Sequence, residues 1–247
     1  MKTILTPVDF SPTSRKAVAY VGSIFEKEPV QLSLVYVATT GQASEAEIRK
    51  SFEQFEKDNL QKYSIPYSFK IVVGDNLLSE IKVICDDLRP FLVVMGINRS
   101  QLAQSLVKLT QSPILFIPEN SDKASIKNIA YANDFNNIKA SSALEPLLNL
   151  SRTFGAKVHI IHVCKDEVLT NDEAEASIEY YLDHVDHEYV SMKSSDFVKT
   201  IQEYLNDQDI DLLTILIRDH GNNDLRSQGQ LIEQLVATAK VPVLSLV

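Results

Sequence analysis

Apolar positions along the chain alternate between short continuous runs and stretches spaced three and four apart. Ile4 and Leu5 lead into Thr6-Pro7-Val8, an acid follows at Asp9, and Ser11-Pro12 supplies an N-cap with proline in the first turn. This predicts a strand, a tight turn carrying Asp9, and a helix that begins at once. Ala17, Val18, Val21, Ile24 and Phe25 form that helix's buried face. Residues 31–37 (QLSLVYV) read as a second strand. Ser44-Glu45-Ala46-Glu47 is a capping box opening a charged helix to about Tyr63. Pro66 bars helix, and residues 67–73 form a third strand. Leu77, Leu78, Ile81, Ile84, Cys85 and Leu88 mark the next buried helix face, which Pro90 ends. Phe91-Leu92-Val93-Val94-Met95 is continuously apolar, as in a parallel strand covered on both faces. A short helix near residues 102–110 and a strand at 114–117 follow.

The grammar then repeats. Ile129-Ala130-Tyr131-Ala132-Asn133-Asp134-Phe135 restates the opening, with Asp134-Phe135 lying 125 positions after Asp9-Phe10. Thr170-Asn171-Asp172-Glu173 is a second capping box, 126 positions after the first. Strands are expected at 158–163, 187–192, 212–217 and 242–246, with Phe197, Ile201, Tyr204 and Leu205 on a helix's inner face. Residues 119–125 (ENSDKAS) are polar and aperiodic and are expected to link domains at 1–118 and 126–247. Strands alternating with helices imply α/β domains with parallel sheets, because right-handed crossovers return each strand to the same direction. Five strands per half favour a Rossmann-like, flavodoxin-like order of 3-2-1-4-5. Ligands then bind at the carboxyl ends of strands 1 and 4. Asp9 and the loop after Met95 meet there in the first half, Asp134 and the loop after Ile217 in the second.

Composition narrows the function. The 247 residues carry a net charge of −9 and no basic run, which excludes nucleic acid as a direct ligand. No apolar run spans a membrane and no leader is evident at the N-terminus. Two cysteines outside any CxxC pair point to a reducing, cytoplasmic setting.

At Pro7-Val8-Asp9-Phe10-Ser11, Val93-Val94-Met95-Gly96, Ser112-Pro113-Ile114-Leu115-Phe116 and Val241-Pro242-Val243-Leu244, the chain resembles the universal stress protein family in its tandem form. The resemblance spans essentially the whole chain. It implies antiparallel pairing of strands 114–117 and 243–246, a pseudo-two-fold between halves, and scope for a homodimer. ATP-binding members carry Gly-x2-Gly-x9-Gly-Ser/Thr after the fourth strand, where glycines let backbone amides approach phosphates. Here Gly96 matches the first glycine, Arg99 replaces the second, and the closing pair falls on Ser100-Gln101, so most of the loop is missing. In the second half Arg218 replaces the first glycine, Gly221 fits the second, and Gly229-Gln230 stand for the last pair, with seven residues between Gly221 and Gly229 instead of nine. The resemblance therefore implies Asp9, Val37, Met95, Gly96, Arg99 and Ser100 as pocket positions in the first half. The second half offers Asp134, Val163, Arg218, His220, Gly221, Gly229 and Gln230. Asp9 and Asp134 also have a structural reading as turn acids favourable to a helix start. Arg99 and Arg218 either meet a phosphate or pair with a nearby acid.

His159, His162, Cys164, His184 and His187 invite a zinc reading. His159 and His162 point to opposite faces of a strand, however, so ordinary strand and surface histidines are expected, and no metal. Cys85 lies on an apolar helix face as inert core, and no serine sits in a Gly-x-Ser-x-Gly elbow. No catalytic residues are expected. The function expected is a non-catalytic stress-response binding or signalling protein without the family's ATP grip and without a cofactor, its protein partner unspecified. The alternative is an ATP- or AMP-binding switch with weak ATPase activity through the second half. A small-molecule or lipid carrier is a third option.

Overall fold

The computed structural model describes the chain apart from residues 40, 42, 99, 133–140, 165–177, 218–223 and 247, and apart from the side chains of 141–142 and 224–228. Five strands of the first half are β1 (Lys2–Pro7), β2 (Val30–Ala38), β3 (Tyr67–Val73), β4 (Leu92–Ile97) and β5 (Ile114–Pro118). Those of the second are β6 (Asn128–Ala132), β7 (Lys157–Cys164), β8 (His187–Lys193), β9 (Leu212–Leu216) and β10 (Val243–Leu246). The sheet order is β3-β2-β1-β4-β5-β10-β9-β6-β7-β8. Each half has the expected 3-2-1-4-5 order, and all pairs are parallel except β5 with β10. Phe116 faces Val243 and Ile114 faces Ser245 across that antiparallel pair. The two five-strand sheets therefore join edge to edge into one ten-stranded sheet, which covers both inner edges.

Seven helices are described: α1 (Pro12–Phe25), α2 (Glu45–Asn59), α3 (Leu77–Leu88), α4 (Gln101–Leu109), α5 (Ser141–Phe154), α6 (Phe197–Asp207) and α7 (Asp224–Thr238). Ser11 caps α1, its Oγ accepting from the Ser14 amide at 3.3 Å. The Ser44–Glu47 capping box is formed, Glu47 Oε2 accepting from the Ser44 amide at 2.8 Å. The matching box at Thr170 lies outside the described residues, as does the turn at Asp134. α2 ends at Asn59 and not near Tyr63, because the Asn59 side chain turns back onto the Phe55 carbonyl at 2.8 Å and Tyr63 instead packs on Gly22.

Each face of the sheet carries one apolar core that runs through both halves. One holds Ile4, Leu34, Leu92, Leu115, Tyr131 and Leu244 beneath α1, α2 and α5. Phe25 of α1 meets Phe154 of α5 edge-on at 5.9 Å, bridging the halves. The other holds Leu5, Val93, Phe116, Leu213 and Val243 beneath α3, α4, α6 and α7. Between β5 and β6 the polar segment is pinned. Ser121 is buried. Lys16 Nζ donates to the Glu119 carbonyl at 2.5 Å, and Lys123 Nζ pairs with Asp209 at 2.6 Å and Asp211 at 3.2 Å.

Candidate functional site

The crossover at β1 and β4 opens a cleft where the sheet order reverses, at the carboxyl ends of those strands. It encloses about 270 Å3 and is lined by residues of β1, β2, β4 and the first turns of α1, α3 and α4. Apolar walls come from Val8, Val37, Met95 and Leu102; Asp9, Thr13, Thr39 and Asn98 place polar groups on them.

Local sequence shapes this cleft. β1 ends at Pro7, and Phe10 adopts a left-handed φ of 63° that turns the chain sharply into α1. Phe10 is held there by rings: Tyr36 stacks on it at 5.2 Å and Phe55 lies at 5.3 Å. Arg15 Nε donates to the Phe10 carbonyl at 3.1 Å, locking the turn from below. Asp9 is exposed, and its Oδ1 accepts from the Ser11 amide at 3.0 Å. Two amides at the head of α1 are thus taken by the chain's own side chains, Ser11 by Asp9 and Ser14 by Ser11. Asp9 is the one charged side chain among the described lining residues.

Gly96 serves packing here. A Cβ at this position would stand 1.9 Å from the Thr13 carbonyl oxygen, so β4 and the first turn of α1 meet backbone to backbone. β4 runs to Ile97 and α4 begins at Gln101, leaving a three-residue connection where a phosphate loop would need many more. Ser100 has helical dihedrals and makes no side-chain cap.

Of the first-half pocket positions, the structure brings Asp9, Val37, Met95 and Gly96 together at the cleft. Ser100 lines a different opening of about 180 Å3, with Glu119 and Val236. Arg99 lies outside the described residues. So do Asp134, Arg218, His220 and Gly221 of the second half. Val163 is half-buried on β7. Gly229 lies well inside α7, where a Cβ would meet Lys108 Cε at 2.8 Å and Gln104 Cγ at 2.9 Å on α4 of the first half. Gln230 beside it is exposed. Thr13, Thr39, Asn98 and Leu102 were not legible as cleft residues; Thr39 and Asn98 follow the ends of β2 and β4 and could have been found by that position alone.

Among the described residues no group of His, Cys, Asp and Glu converges as a metal site. Cys85 is buried, and burial pushes its thiol up, away from reactivity. No helix among the described residues is long and apolar enough to cross a membrane.

No protein-family model matches the chain, and neither does any curated protein. Among solved structures, a universal stress protein from Archaeoglobus fulgidus DSM 4304 matches with a TM-score of 0.74 at 17% identity, covering 99% of this chain and 96% of its own. A functionally unknown protein from Pseudomonas aeruginosa PAO1 matches with a TM-score of 0.66 at 12% identity, covering 100% and 92%. A candidate universal stress protein from Pseudomonas aeruginosa UCBPP-PA14 matches with a TM-score of 0.65 at 13% identity, covering 100% and 93%. The chain thus has the tandem α/β fold of universal stress proteins over its full described length.

Proposed function

We propose that the chain is a tandem universal stress protein, with domains at 1–118 and 126–247, acting as a non-catalytic binding and signalling module in the cytoplasm. Its ligand site is the open first-half cleft, and the ligand is nucleoside-sized and uncharged in place of a gripped triphosphate. One observation carries this reading: Thr13 fills the space at Gly96 where phosphate-holding backbone would be exposed, while the walls beside it stay open over about 270 Å3. That volume lies near the lower end of small-ligand pockets, about 300 Å3. Apolar groups of Val37 and Met95 suit a heteroaromatic ring, and Asp9, Thr39 and Asn98 suit hydroxyl or amine donors and acceptors.

Charge supports the same choice. A triphosphate would approach the exposed Asp9 carboxylate, and two amides at the head of α1, those of Ser11 and Ser14, are already engaged by Asp9 and Ser11. Of the glycines in the second-half alternative, Gly229 is the one described, and its amide sits in the α7 ladder with its open side filled by α4.

Thermal melting with adenosine, AMP, ADP and ATP tests the reading, because a ligand bound to the native state alone raises the melting temperature. The nucleoside should raise it most, with no added gain from each phosphate. A shift that grows with phosphate number would contradict it.

A further inference from the structure

The second half holds a cluster of titratable side chains remote from the cleft. His159 on β7 is 5% exposed and sits on the sheet face shared with Ile161, Ile201 and Leu205. Its Nδ1 lies 2.8 Å from the Tyr204 hydroxyl of α6 and 2.9 Å from Glu188 Oε1 of β8. Glu188 Oε2 accepts from Lys157 Nζ at 2.7 Å. His159 Nε2 is buried and has no hydrogen-bond partner.

These contacts select the tautomer. A bare lone pair on Nδ1 would face the anionic Glu188 oxygen, so Nδ1 carries the hydrogen and donates it to Glu188, with the Tyr204 oxygen alongside. Nε2 then presents its lone pair to apolar neighbours. A second proton can attach only there, and the resulting N–H would be buried without an acceptor, which costs about 1–3 kcal/mol in general. The charged groups facing the ring do not rescue the cation: burial pushes His159 down, and the help of Glu188 and Asp186, opposed by Lys157, leaves it below its ordinary 6.5.

We propose that His159 is a proton-operated latch: neutral, it holds α6 through Tyr204 against the β7–β8 edge, and protonated it leaves its apolar seat and frees α6. The release has a route to the other half. Gln202 of α6 donates to the Thr238 hydroxyl of α7, and α7 packs through Gly229 on Gln104 and Lys108 of α4. His187, on β8 and the opposite face, is bound differently: its ring nitrogens meet the Val185 carbonyl at 2.8 Å and Glu179 at 2.9 Å, so its cation is accommodated.

Hydrogen–deuterium exchange on the full chain at about pH 7.5 and about pH 5.5, either side of the histidine range, tests the latch. After correction for intrinsic exchange, α6 amides should lose protection by about tenfold at the lower pH while α5 amides keep theirs. His159→Gln should abolish the difference, and His187→Gln should leave it. Equal α6 protection at both pH values, or an undiminished difference in His159→Gln, overturns the proposal. If His159→Gln does not fold, the imidazole resonances of the unaltered protein decide. Titration of His159 below 6.5, with α6 signals changing at the same midpoint, supports the latch. Titration at or above that value overturns it.

Discussion

The carbonyl oxygen of Thr13 lies 1.9 Å from the point where a Cβ on Gly96 would stand. Backbone cannot swing aside as a side-chain tip can, so Gly96→Ala must push α1 off β4. This should cost about 1–3 kcal/mol in chemical denaturation, the range for overpacking a tight core. Gly229→Ala is the control. Its neighbours are side-chain atoms, the flexible end of Lys108 and the Gln104 Cγ, and alanine gains about 1 kcal/mol of helix propensity over glycine. That variant should be neutral or slightly more stable.

Phe10 holds a left-handed backbone because its ring is gripped by Tyr36, Phe55, Phe69 and Phe52. Such a conformation costs a side-chain-bearing residue about 1–2 kcal/mol, and glycine nothing. Phe10→Ala loses the rings and keeps the strain, whereas Phe10→Gly loses both. Both should be less stable than the unaltered protein, with Phe10→Gly the better by about 1 kcal/mol. Equal midpoints in urea would show that the rings impose no strain.

Asp211 is 5% exposed and fastens the start of the second half. Its Oδ2 accepts from the amides of Lys127 at 2.8 Å and Asn128 at 3.2 Å, and Lys123 pairs with Oδ1. Asp211→Asn sets an amide group among these donors and should cost about 1–3 kcal/mol, the penalty for buried donors left unpaired. Lys123→Ala, at a partly exposed pair, should cost under about 1 kcal/mol.

His187 gives the second half an opposing pH response. Burial pushes it down, but the Val185 carbonyl and the Glu179 carboxylate outweigh that and hold it above 6.5. A raised folded value means stability fully present below 6.5 and lost as pH rises through the higher folded value. His187→Gln should therefore be less stable than the unaltered protein at about pH 5.5 and equal to it at about pH 9. Denaturation midpoints at the two pH values check this, and a deficit independent of pH would contradict it.

The strand–acid–helix repeat made the fold legible: strands are long apolar runs, caps are short local motifs, and both halves keep them in register. The antiparallel β5–β10 seam followed from the family resemblance, since nothing in Ile114 or Val243 alone names its partner. What stayed hidden depends on three-dimensional neighbours. A glycine at position 96 suits a phosphate loop and a close helix contact equally well, and only the place of Thr13 separates them. The segment holding Ser121 and Lys123 reads as a loose linker because polar residues look alike whether solvated or pinned by Asp209 and Asp211. His159 was expected to be an ordinary strand histidine. Its burial depends on which sheet face α6 covers, and alternation along β7 does not supply that.

An open first-half cleft should hold a nucleoside without gripping phosphates. Asn98 is exposed at its rim, so Asn98→Trp narrows the mouth without touching the core. Isothermal titration of adenosine and of ATP into both proteins is the direct measurement. Adenosine should bind the unaltered protein at least as tightly as ATP, and Asn98→Trp should weaken it by about tenfold or more, a loss of about 1.4 kcal/mol. ATP binding tighter than adenosine, or adenosine binding indifferent to Asn98→Trp, would rule out a phosphate-free nucleoside cleft.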